Sequence, residues 1–373
     1  MQVRAAVLHQ PNTDLVLETL ELEDPRPNEL RVRLLATGIC HTDLSFMGRP
    51  FLADQPMVLG HEGAGIVEAV GELVSKVKVG DRVLLSYNAC GECRHCLRKA
   101  STYCDYFIGS NFLGQRRDGS VALSRQGQGV RHNFFGQSSF ATHCLCTTQN
   151  VVKVPDEVSD EAFMHMGPLG CGLQTGAGAV MNVLRVSAGQ SLAVFGSGAV
   201  GMAAIMAAKA AGATTIIAVD RVAARLTLAE ELGATHSVLV GPDVDTVAAI
   251  RAITGDGVNH SLDTTAVPEV LRQAVECLAP LGCCGFVGAG APGETVALEM
   301  RDMMLHGKTL RGIIEGDANP DDFIPLLIRL HQRGLFPLEK MVKFYDFEDI
   351  AQAIADADAG LTVKPILRFA GQH

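Results

Sequence analysis

The sequence has little basic character and no block of basic residues. Its 31 Lys and Arg residues are outnumbered by 41 Asp and Glu residues, which gives a formal net charge of −10. A surface that binds nucleic acid or an anionic membrane needs clustered positive charge to contact phosphates. Neither kind of partner is therefore expected.

Long uninterrupted apolar segments are also missing. Residues 1–9 contain no apolar signal core and are typical of a first β-strand. The uncharged run 191–208 is interrupted by glycines in a strand–turn–helix pattern, so it does not predict a membrane span. The expected location is a reducing cytoplasm, where the 11 cysteines stay free and can serve as metal ligands.

The length bounds the architecture. A chain of 373 residues is too long for one ordinary hydrophobic core and predicts two domains. Hydrophobic residues make up 47% of the chain, which is ample for a folded protein, and its 39 glycines suit α/β turns and close backbone contacts.

Candidate metal ligands lie in the stretch 40–62. Cys40 and His61 supply a thiolate and an imidazole, the ligands that zinc prefers, and the carboxylates of Asp43 and Glu62 lie beside them. A buried cysteine is more often ordinary packing. With Cys171 as a third candidate, however, the set has the three ligands and open fourth position of a catalytic zinc site.

A second cysteine cluster follows at 90–104. The spacing C-x2-C-x2-C-x7-C, formed by Cys90, Cys93, Cys96 and Cys104, places four thiolates close together, enough to close a tetrahedral structural zinc site. Iron–sulfur ferredoxins use a similar run with a different last spacing. A thioredoxin-like C-x-x-C would need a βαβ context, which is not predicted here.

A dinucleotide-binding pattern begins at residue 191. A predicted strand runs into Gly196-x-Gly198-x-x-Gly201 and then a helix, and a second strand ends in Asp220, about twenty residues further on. Such a loop holds pyrophosphate at the helix N-terminus. Asp220 would accept from ribose hydroxyls and repel a 2′-phosphate, which favours NAD, although Arg221 and Arg225 are nearby.

The predicted secondary structure differs between the first part of the chain and the part after residue 191. Short non-parallel strands are predicted before residue 90, with a loop at 46–58, and residues 105–140 are predicted to be loop. After residue 191, strands alternate with helices as far as 309–313, which predicts a parallel doubly wound sheet. The expected fold class is therefore α/β.

The motifs resemble one family along nearly the whole chain. The run Gly60-His61-Glu62-x-x-Gly65-x5-Gly71-x-x-Val74 resembles that of the zinc-containing medium-chain alcohol dehydrogenases, and within them the aryl-alcohol (benzyl-alcohol) dehydrogenases. The resemblance implies a GroES-like β-rich catalytic domain at 1–172, including the zinc lobe 90–104. A Rossmann NAD-binding domain at 173–311 follows, and residues 312–373 return to the first domain.

The resemblance also implies an activity. The protein would reversibly oxidise a primary aromatic or allylic alcohol to the aldehyde with NAD, and one of two zinc ions per chain would serve as Lewis acid. A dimer or tetramer is expected. The nearest alternatives are a terpene- or aliphatic-alcohol dehydrogenase, a glutathione-dependent formaldehyde dehydrogenase, and a relative without catalysis.

Roles for individual residues follow from the resemblance. Thr42 would take the alcohol proton, Asp43 would orient His61, Glu62 would lie behind the metal, and His41 would lie near the cofactor pyrophosphate. Ser45 stands where the best-known relatives end their proton relay in histidine. The implied cofactor contacts are Thr175, Val287, Arg225 and Lys364. The implied substrate-pocket residues are Ser86, Phe134 and Phe135.

Overall fold

The computed structural model describes residues 1–48 and 56–369, which form two compact units. Unit 1 contains Met1–Cys171, Asn319–Pro325 and the described residues from Leu338 onward. Unit 2 contains Gly172–Ala318 and Leu326–Pro337. Among the described residues, no helix combines the length and the apolar character that crossing a bilayer requires.

Unit 1 is built mainly from antiparallel β-structure in two sheets. The first sheet has the spatial order β4 (Met57–Val58), β1 (Gln2–Leu8), β2 (Val16–Leu22), β7 (Leu123–Arg125) and β8 (Gln128–Val130). Four consecutive residues of β1, from Ala5 to Leu8, are buried. This sheet therefore contributes directly to the core of unit 1.

The second sheet of unit 1 is organised around its longest strand, β3 (Glu29–Gly38). Along β3, the buried residues Leu30, Val32 and Leu34 alternate with half-buried Arg31 and Arg33, the period-two pattern of a strand with one face on a core. The sheet order is β10 (Val151–Lys153), β6 (Arg82–Leu85), β5 (Gly63–Val70), β3, β18 (Lys364–Arg368) and β17 (Val342–Asp346), and β9 (His143–Thr147) also pairs with β3.

Short helices connect these strands. Those of unit 1 are α1 (His41–Met47), α2 (Phe107–Phe112), α3 (Asp160–Met164) and α11 (Ile350–Asp358). The hydroxyl of Ser159 accepts from the amide of Ala162 and so caps α3, as its position before two acidic residues predicts. Helix α10 (Pro320–Gln332) is divided between the units after Pro325.

Unit 2 contains one parallel sheet. Its order is β13 (His236–Leu239), β12 (Thr215–Asp220), β11 (Ser191–Phe195), β14 (Val258–Asp263), β15 (Leu278–Phe286) and β16 (Thr309–Gly312). The order runs outward in both directions from the β11–β14 pair, as in a doubly wound sheet. Central strand β11 is buried along 192–195, as expected for a strand covered on both faces.

Helices join the parallel strands of unit 2. They are α4 (Gly172–Gly178), α5 (Ala199–Ala210), α6 (Ala223–Leu232), α7 (Thr246–Thr254), α8 (Pro268–Glu276) and α9 (Met300–Leu305). Helix α4 continues as a π-helical turn over Ala179–Leu184. The carboxylate of Asp245 caps α7 by accepting from the amide of Ala248 at 2.9 Å.

Three local predictions need correction. Residues 105–140 are not all loop, since they include α2 and the β7–β8 hairpin. Within the loop predicted at 46–58, residues 46–47 end α1 and 57–58 form β4, whereas 49–55 lie outside the described residues. Residues 312–318 and Leu326–Pro337 group with unit 2 rather than with the first domain. The turn after β16 packs on α4 of that unit.

A buried ion pair secures the start of β3. The guanidinium of Arg116 donates to both carboxylate oxygens of Glu29, at 2.7 and 2.9 Å, and both side chains are at least 90% buried. Burial opposes ionisation of Glu29, yet the hydrogen bonds from Arg116 hold its pKa below the usual value. Removing the cation would leave a buried carboxylate without its partner.

We expect Arg116→Met to lower the free energy of unfolding by about 3 kcal/mol, the usual cost of breaking a buried pair. Denaturant unfolding followed by circular dichroism would measure the change. Arg117→Met is the matched control, because Arg117 pairs with Glu92 on the surface and its loss should change stability little. Equal effects of the two substitutions would contradict the prediction.

Candidate metal centres and nucleotide loop

Four potential ligand side chains meet in unit 1. Ligand atoms of Cys40, His61, Glu62 and Cys171 all lie within 4.8 Å of one another. Cys40 follows β3 and precedes α1, His61 and Glu62 precede β5, and Cys171 follows a 3₁₀ turn at Gly167–Gly170. The three ligands predicted from the sequence are thus brought together, and Glu62 joins them as a possible fourth.

The surroundings of His61 and Cys40 suit a metal. The carboxylate of Asp43 accepts from Nδ1 of His61 at 2.9 Å, which places the ring proton on Nδ1. The opposite nitrogen, Nε2, is buried and has no hydrogen-bond partner among the described residues. A hydrogen bond from Cys171 is the largest cause that holds the pKa of Cys40 well below its usual value. A free imidazole nitrogen and an easily ionised thiol are what zinc requires.

Glu62 is held by a buried lysine. The ammonium of Lys364 donates to both carboxylate oxygens, at 3.0 and 2.9 Å, and to the carbonyl oxygen of Ile39 at 3.0 Å. Glu62 is fully buried and Lys364 is 3% exposed. Because an ammonium has three donors, these bonds engage all of them. The resemblance implied a cofactor contact for Lys364, and the structure places its ammonium at the ligand cluster.

The hydroxyl expected to take the alcohol proton lies beside a ligand. Oγ1 of Thr42 is 3.8 Å from Sγ of Cys40, and the side chain is half-buried. His41 and Ser45, on the same helix, are exposed. Of the three, Thr42 therefore has the position best suited to contact a molecule bound at the cluster.

Two of the three predicted substrate-pocket residues contact the ring of His61. The ring of Phe135 stacks on the imidazole of His61, with centroids 4.4 Å apart, and Phe134 meets the same ring edge-on at 5.5 Å. Phe134 is fully buried and packs on Phe46 as part of the core. The hydroxyl of Ser86 is also buried and donates to the carbonyl of Gly170 at 2.6 Å.

One residue that positions the site was not predicted from the sequence. Gln137 is fully buried; its amide nitrogen donates to the carbonyls of His61 and Ser86, at 3.0 and 3.1 Å, and its oxygen accepts from the amide of Gly63. It thus joins the His61 segment to the Ser86 segment. A glutamine within the polar run 136–139 gives no local signal of this role.

The structure also brings the four cysteines of the second cluster together. Cys90, Cys93, Cys96 and Cys104 have sulfur atoms within 4.8 Å of one another, and all cysteines of the chain are free. Backbone amides donate to the sulfurs of Cys90 and Cys104, at 3.3 and 3.4 Å. Hydrogen bonds from the amides of Asp105 and Cys96 are the main reason why the pKa of Cys93 falls to about 6. Sulfurs that accept from amides in this way are suited to bind a metal as thiolates.

The glycine loop of unit 2 has the geometry of a phosphate cradle. Gly196 has a φ of 92°, and a Cβ on Gly201 would lie 1.9 Å from the carbonyl oxygen of Gly196. At Gly198 a Cβ would meet open space. Two of the glycines are therefore needed for the loop itself, and the third leaves room for a ligand to approach the backbone.

Asp220 lies next to this loop at the end of β12. One of its oxygens accepts from the amide of Ser197 at 2.7 Å, and the other accepts from the amide of Val222 at 2.9 Å. The hydroxyl of Ser197 and Nε of Arg225 are buried and lack hydrogen-bond partners among the described residues. These orphaned donors fit a site for the ribose and pyrophosphate of a dinucleotide.

The last two predicted cofactor contacts also belong to unit 2. Thr175 lies on α4, and Val287 follows the carboxyl end of β15. Both side chains are half-buried. Val287 is thus at the same edge of the parallel sheet as Gly196 and Asp220.

A β-rich unit with a Cys₂His cluster and a four-cysteine lobe, joined to a parallel sheet with a dinucleotide loop, defines the class of zinc-dependent nicotinamide dehydrogenases. The family description "Alcohol dehydrogenase GroES-like domain" matches residues 26–156, and "Zinc-binding dehydrogenase" matches 199–332. The chain belongs to the zinc-dependent medium-chain alcohol dehydrogenase family. The predicted fold and the pairing of zinc with a nicotinamide nucleotide are confirmed at the level of this family.

Similar proteins cover almost the whole chain. A geraniol dehydrogenase of Castellaniella defragrans is 44% identical over 370 residues, which are 99% of this chain and 98% of that protein. A benzyl alcohol dehydrogenase structure from Acinetobacter calcoaceticus has a TM-score of 0.95 and 45% identity, covering 99% of this chain and 100% of that one. An alcohol dehydrogenase zinc-binding domain protein of Burkholderia ambifaria has a TM-score of 0.95 and 48% identity, covering 99% of both chains.

Elemental analysis of the purified protein should find two zinc ions per chain, and matched cysteine substitutions should remove them separately. Cys171→Ser should lose one ion, while Cys93→Ser should lose the other and lower the melting temperature more, because a structural zinc site contributes folding energy directly. Cys283 lies outside both clusters, so Cys283→Ser should retain both ions. Loss of the same ion in the first two variants would contradict the assignment.

Proposed function

We propose that the protein reversibly oxidises primary aromatic or allylic alcohols to aldehydes with NAD. The observation that carries this proposal is the cluster of Cys40, His61 and Cys171, with the Thr42 hydroxyl beside it. Family membership supplies the reaction class, oxidation of a small-molecule alcohol. The substrate class, the choice of NAD and the residue roles are the proposed part.

The chain's own residues prepare the site for chemistry. Zinc held by Cys40, His61 and Cys171 would supply Lewis acidity toward the alcohol oxygen, and the nicotinamide would supply the hydride acceptor. Asp43 fixes the tautomer and orientation of His61. Lys364 occupies both oxygens of Glu62, which leaves three ligands for the metal and a fourth position for substrate.

Two observations support an aromatic or allylic substrate. Proteins about 45% identical over the full length are named for geraniol and benzyl alcohol. In the structure, the ring of Phe135 stacks on the imidazole of His61, and the small side chain of Ser86 donates its hydroxyl to the carbonyl of Gly170. Ethanol-active relatives carry a bulkier aromatic residue at the Ser86 position, so a smaller residue favours a larger substrate.

Benzyl alcohol and geraniol should exceed ethanol in kcat/KM by at least about 100-fold, because one buried methylene already contributes roughly 1–3 kcal/mol of discrimination. Initial rates of NAD reduction with ethanol, hexanol, benzyl alcohol and geraniol would test the proposal, with hexanol as the control for size without unsaturation. Comparable values for ethanol and benzyl alcohol would exclude the proposed substrate class.

Turnover only with S-(hydroxymethyl)glutathione would favour the formaldehyde dehydrogenase alternative. No turnover with any of these substrates would favour a relative without catalysis.

NAD should be preferred over NADP, and Asp220→Ser should shift the preference toward NADP. The substitution removes the carboxylate that would repel a 2′-phosphate, while Arg225, five residues further along the chain, remains to bind that phosphate. Dissociation constants for NADH and NADPH from protein fluorescence would measure the shift. Equal affinity of the unaltered protein for both nucleotides would contradict the assignment of Asp220.

Thr42→Val should lower kcat about 100-fold or more, the usual contribution of general acid–base catalysis. Valine keeps the size of threonine but cannot accept the alcohol proton. Ser45→Ala is the matched control on the same helix and should change kcat little, because a serine hydroxyl titrates too high to act as terminal base. If the proton leaves through His41, whose imidazole can accept a proton, His41→Asn should lower kcat. Unchanged turnover in Thr42→Val would show that the relay begins elsewhere.

The expected dimer or tetramer stays a prediction. Strand β16 is at the edge of the parallel sheet, and the nearby side chains of Leu281, Met300 and Met304 are largely exposed. An open edge beside exposed apolar side chains supports association with a second copy.

A further inference from the structure

Left-handed backbone conformations are concentrated in the segment 133–138. Positive φ values occur at four of its six residues, Asn133 (75°), Phe135 (52°), Gly136 (70°) and Ser138 (52°). Only one of the four is a glycine, and such conformations persist at other residues only where the surroundings enforce them. Strain of this kind is concentrated at functional sites, so the contacts that enforce it indicate a purpose beyond packing.

The side chain of Asn150 holds the middle of this segment. Asn150 lies in the turn between β9 and β10 and is fully buried. Its Nδ2 donates to the carbonyl oxygens of Phe135 and Gly136, at 3.4 and 2.9 Å. Its Oδ1 accepts from the amide and the hydroxyl of Thr147, at 2.9 and 3.1 Å. Because a backbone amide can only donate, the bond from Thr147 fixes which end of the Asn150 side chain faces the segment.

Two further contacts support the segment on either side of this point. A Cβ on Gly136 would lie 2.7 Å from the Cβ of Asn88, so the backbone packs directly on that side chain. The hydroxyl of Ser138 accepts from the amide of Phe134 at 2.9 Å and donates to the carbonyl of Val58 at 2.6 Å. The backbone between these contacts therefore has little freedom to relax.

The consequence of this support is the contact between Phe135 and His61. The two rings have centroids 4.4 Å apart and an interplanar angle of 22°, so Phe135 covers one face of the imidazole. Asp43 holds the same ring through Nδ1 at 2.9 Å. A hydrogen bond to one atom leaves a ring free to tilt about that bond, whereas a stacked neighbour limits the tilt. The two contacts together fix the direction of Nε2, the atom that a metal would bind.

We propose that Asn150 and Phe135 are positioning residues for His61 as a zinc ligand. Asn150 keeps the backbone at 135–136 left-handed, and the Phe135 ring keeps the imidazole oriented before the metal binds. A ligand that is already held in its binding orientation loses less conformational freedom, so the metal binds more tightly. The inference rests on the proposed function in one respect, since it takes His61 to be a ligand of the catalytic zinc.

Asn150→Asp tests the donors of Asn150. Aspartate keeps the shape and the acceptor for Thr147, but it places an oxygen instead of an N–H group against two carbonyls. Competition between the zinc-loaded protein and a chelator would give the dissociation constant of the catalytic zinc, which should rise about tenfold, the lower end of the usual cost of losing an outer-shell contact. The zinc of the four-cysteine lobe, measured separately in Cys171→Ser, should keep its constant. An unchanged constant for the catalytic zinc would overturn the role of Asn150.

Asn111→Asp is the matched control. Asn111 is also fully buried, accepts from the amide of Asn88 and donates to the carbonyls of Asn88 and Phe107. The substitution introduces the same charge against the same kind of groups, but the bonds that it breaks lie outside the segment 133–138. It should lower the melting temperature and leave the constant of the catalytic zinc unchanged. An effect on that constant as large as in Asn150→Asp would contradict the inference.

Phe135→Leu tests the ring itself and decides the matter if Asn150→Asp does not fold. Leucine keeps an apolar side chain but cannot stack on the imidazole. The dissociation constant of the catalytic zinc should again rise about tenfold, while that of the lobe zinc should not change. If both constants stay the same, or if both rise equally, the ring does not position His61 and the inference is wrong.

The zinc content of the unaltered protein separates this inference from the proposed function. If only the four-cysteine lobe retains zinc, the proposed function fails and the inference with it. If both sites retain zinc, and neither Asn150→Asp nor Phe135→Leu changes the constant of the catalytic zinc, the inference alone fails and the proposed function stands.

Discussion

A single buried carboxylate, that of Asp43, holds together the backbone segments that carry the candidate catalytic metal centre. It accepts from the amide of Cys40, from the amide of Gly60 and from Nδ1 of His61, at 3.0, 3.0 and 2.9 Å. The first bond fixes the start of α1, the second fixes the segment before β5, and the third fixes the imidazole. A buried carboxylate is tolerated only when donors compensate its desolvation. The same three bonds that stabilise Asp43 therefore set the distance between two of the ligands.

The charges around the cluster explain why a divalent cation fits there. Burial raises the pKa of Glu62, and Lys364, the next largest influence, opposes that rise. The charges of Glu62 and Lys364 thus compensate each other in the protein interior. The thiols of Cys40 and Cys171 remain as the groups whose ionisation a cation would favour. Thiolates need positive charge when buried. A metal of charge +2 supplies it, whereas a site lined only by neutral residues would have no need of one.

The sequence predicts sites whose residues lie within one short segment better than contacts between segments that are far apart in the chain. The four-cysteine lobe and the glycine loop are defined by short spacings, and the structure brings each set together as predicted. Contacts between distant segments of the chain have no such motif in the sequence. Lys364 and Glu62 are 302 positions apart, and Gln137 reaches His61 from 76 positions away. Residues 107–112 were missed as a helix because their Gly, Ser and Asn favour turns, and packing of Phe107 and Phe112 on neighbouring aromatic rings outweighs that preference.

Glycine shows the same limit: its frequency predicts turns and close backbone contacts, but it does not predict which glycine serves which purpose. Gly38 and Gly201 are not among the glycines with positive φ, so their backbone would accept another residue. Space excludes it: a Cβ on Gly38 would lie 2.0 Å from a carboxylate oxygen of Glu62, and one on Gly201 would lie 1.9 Å from the carbonyl of Gly196. Gly316 combines both requirements, with a left-handed backbone pressed against α4. In each case, glycine is required because another group must approach closely. The loop motif predicts this for Gly201, but the sequence does not reveal which segments approach Gly38 and Gly316.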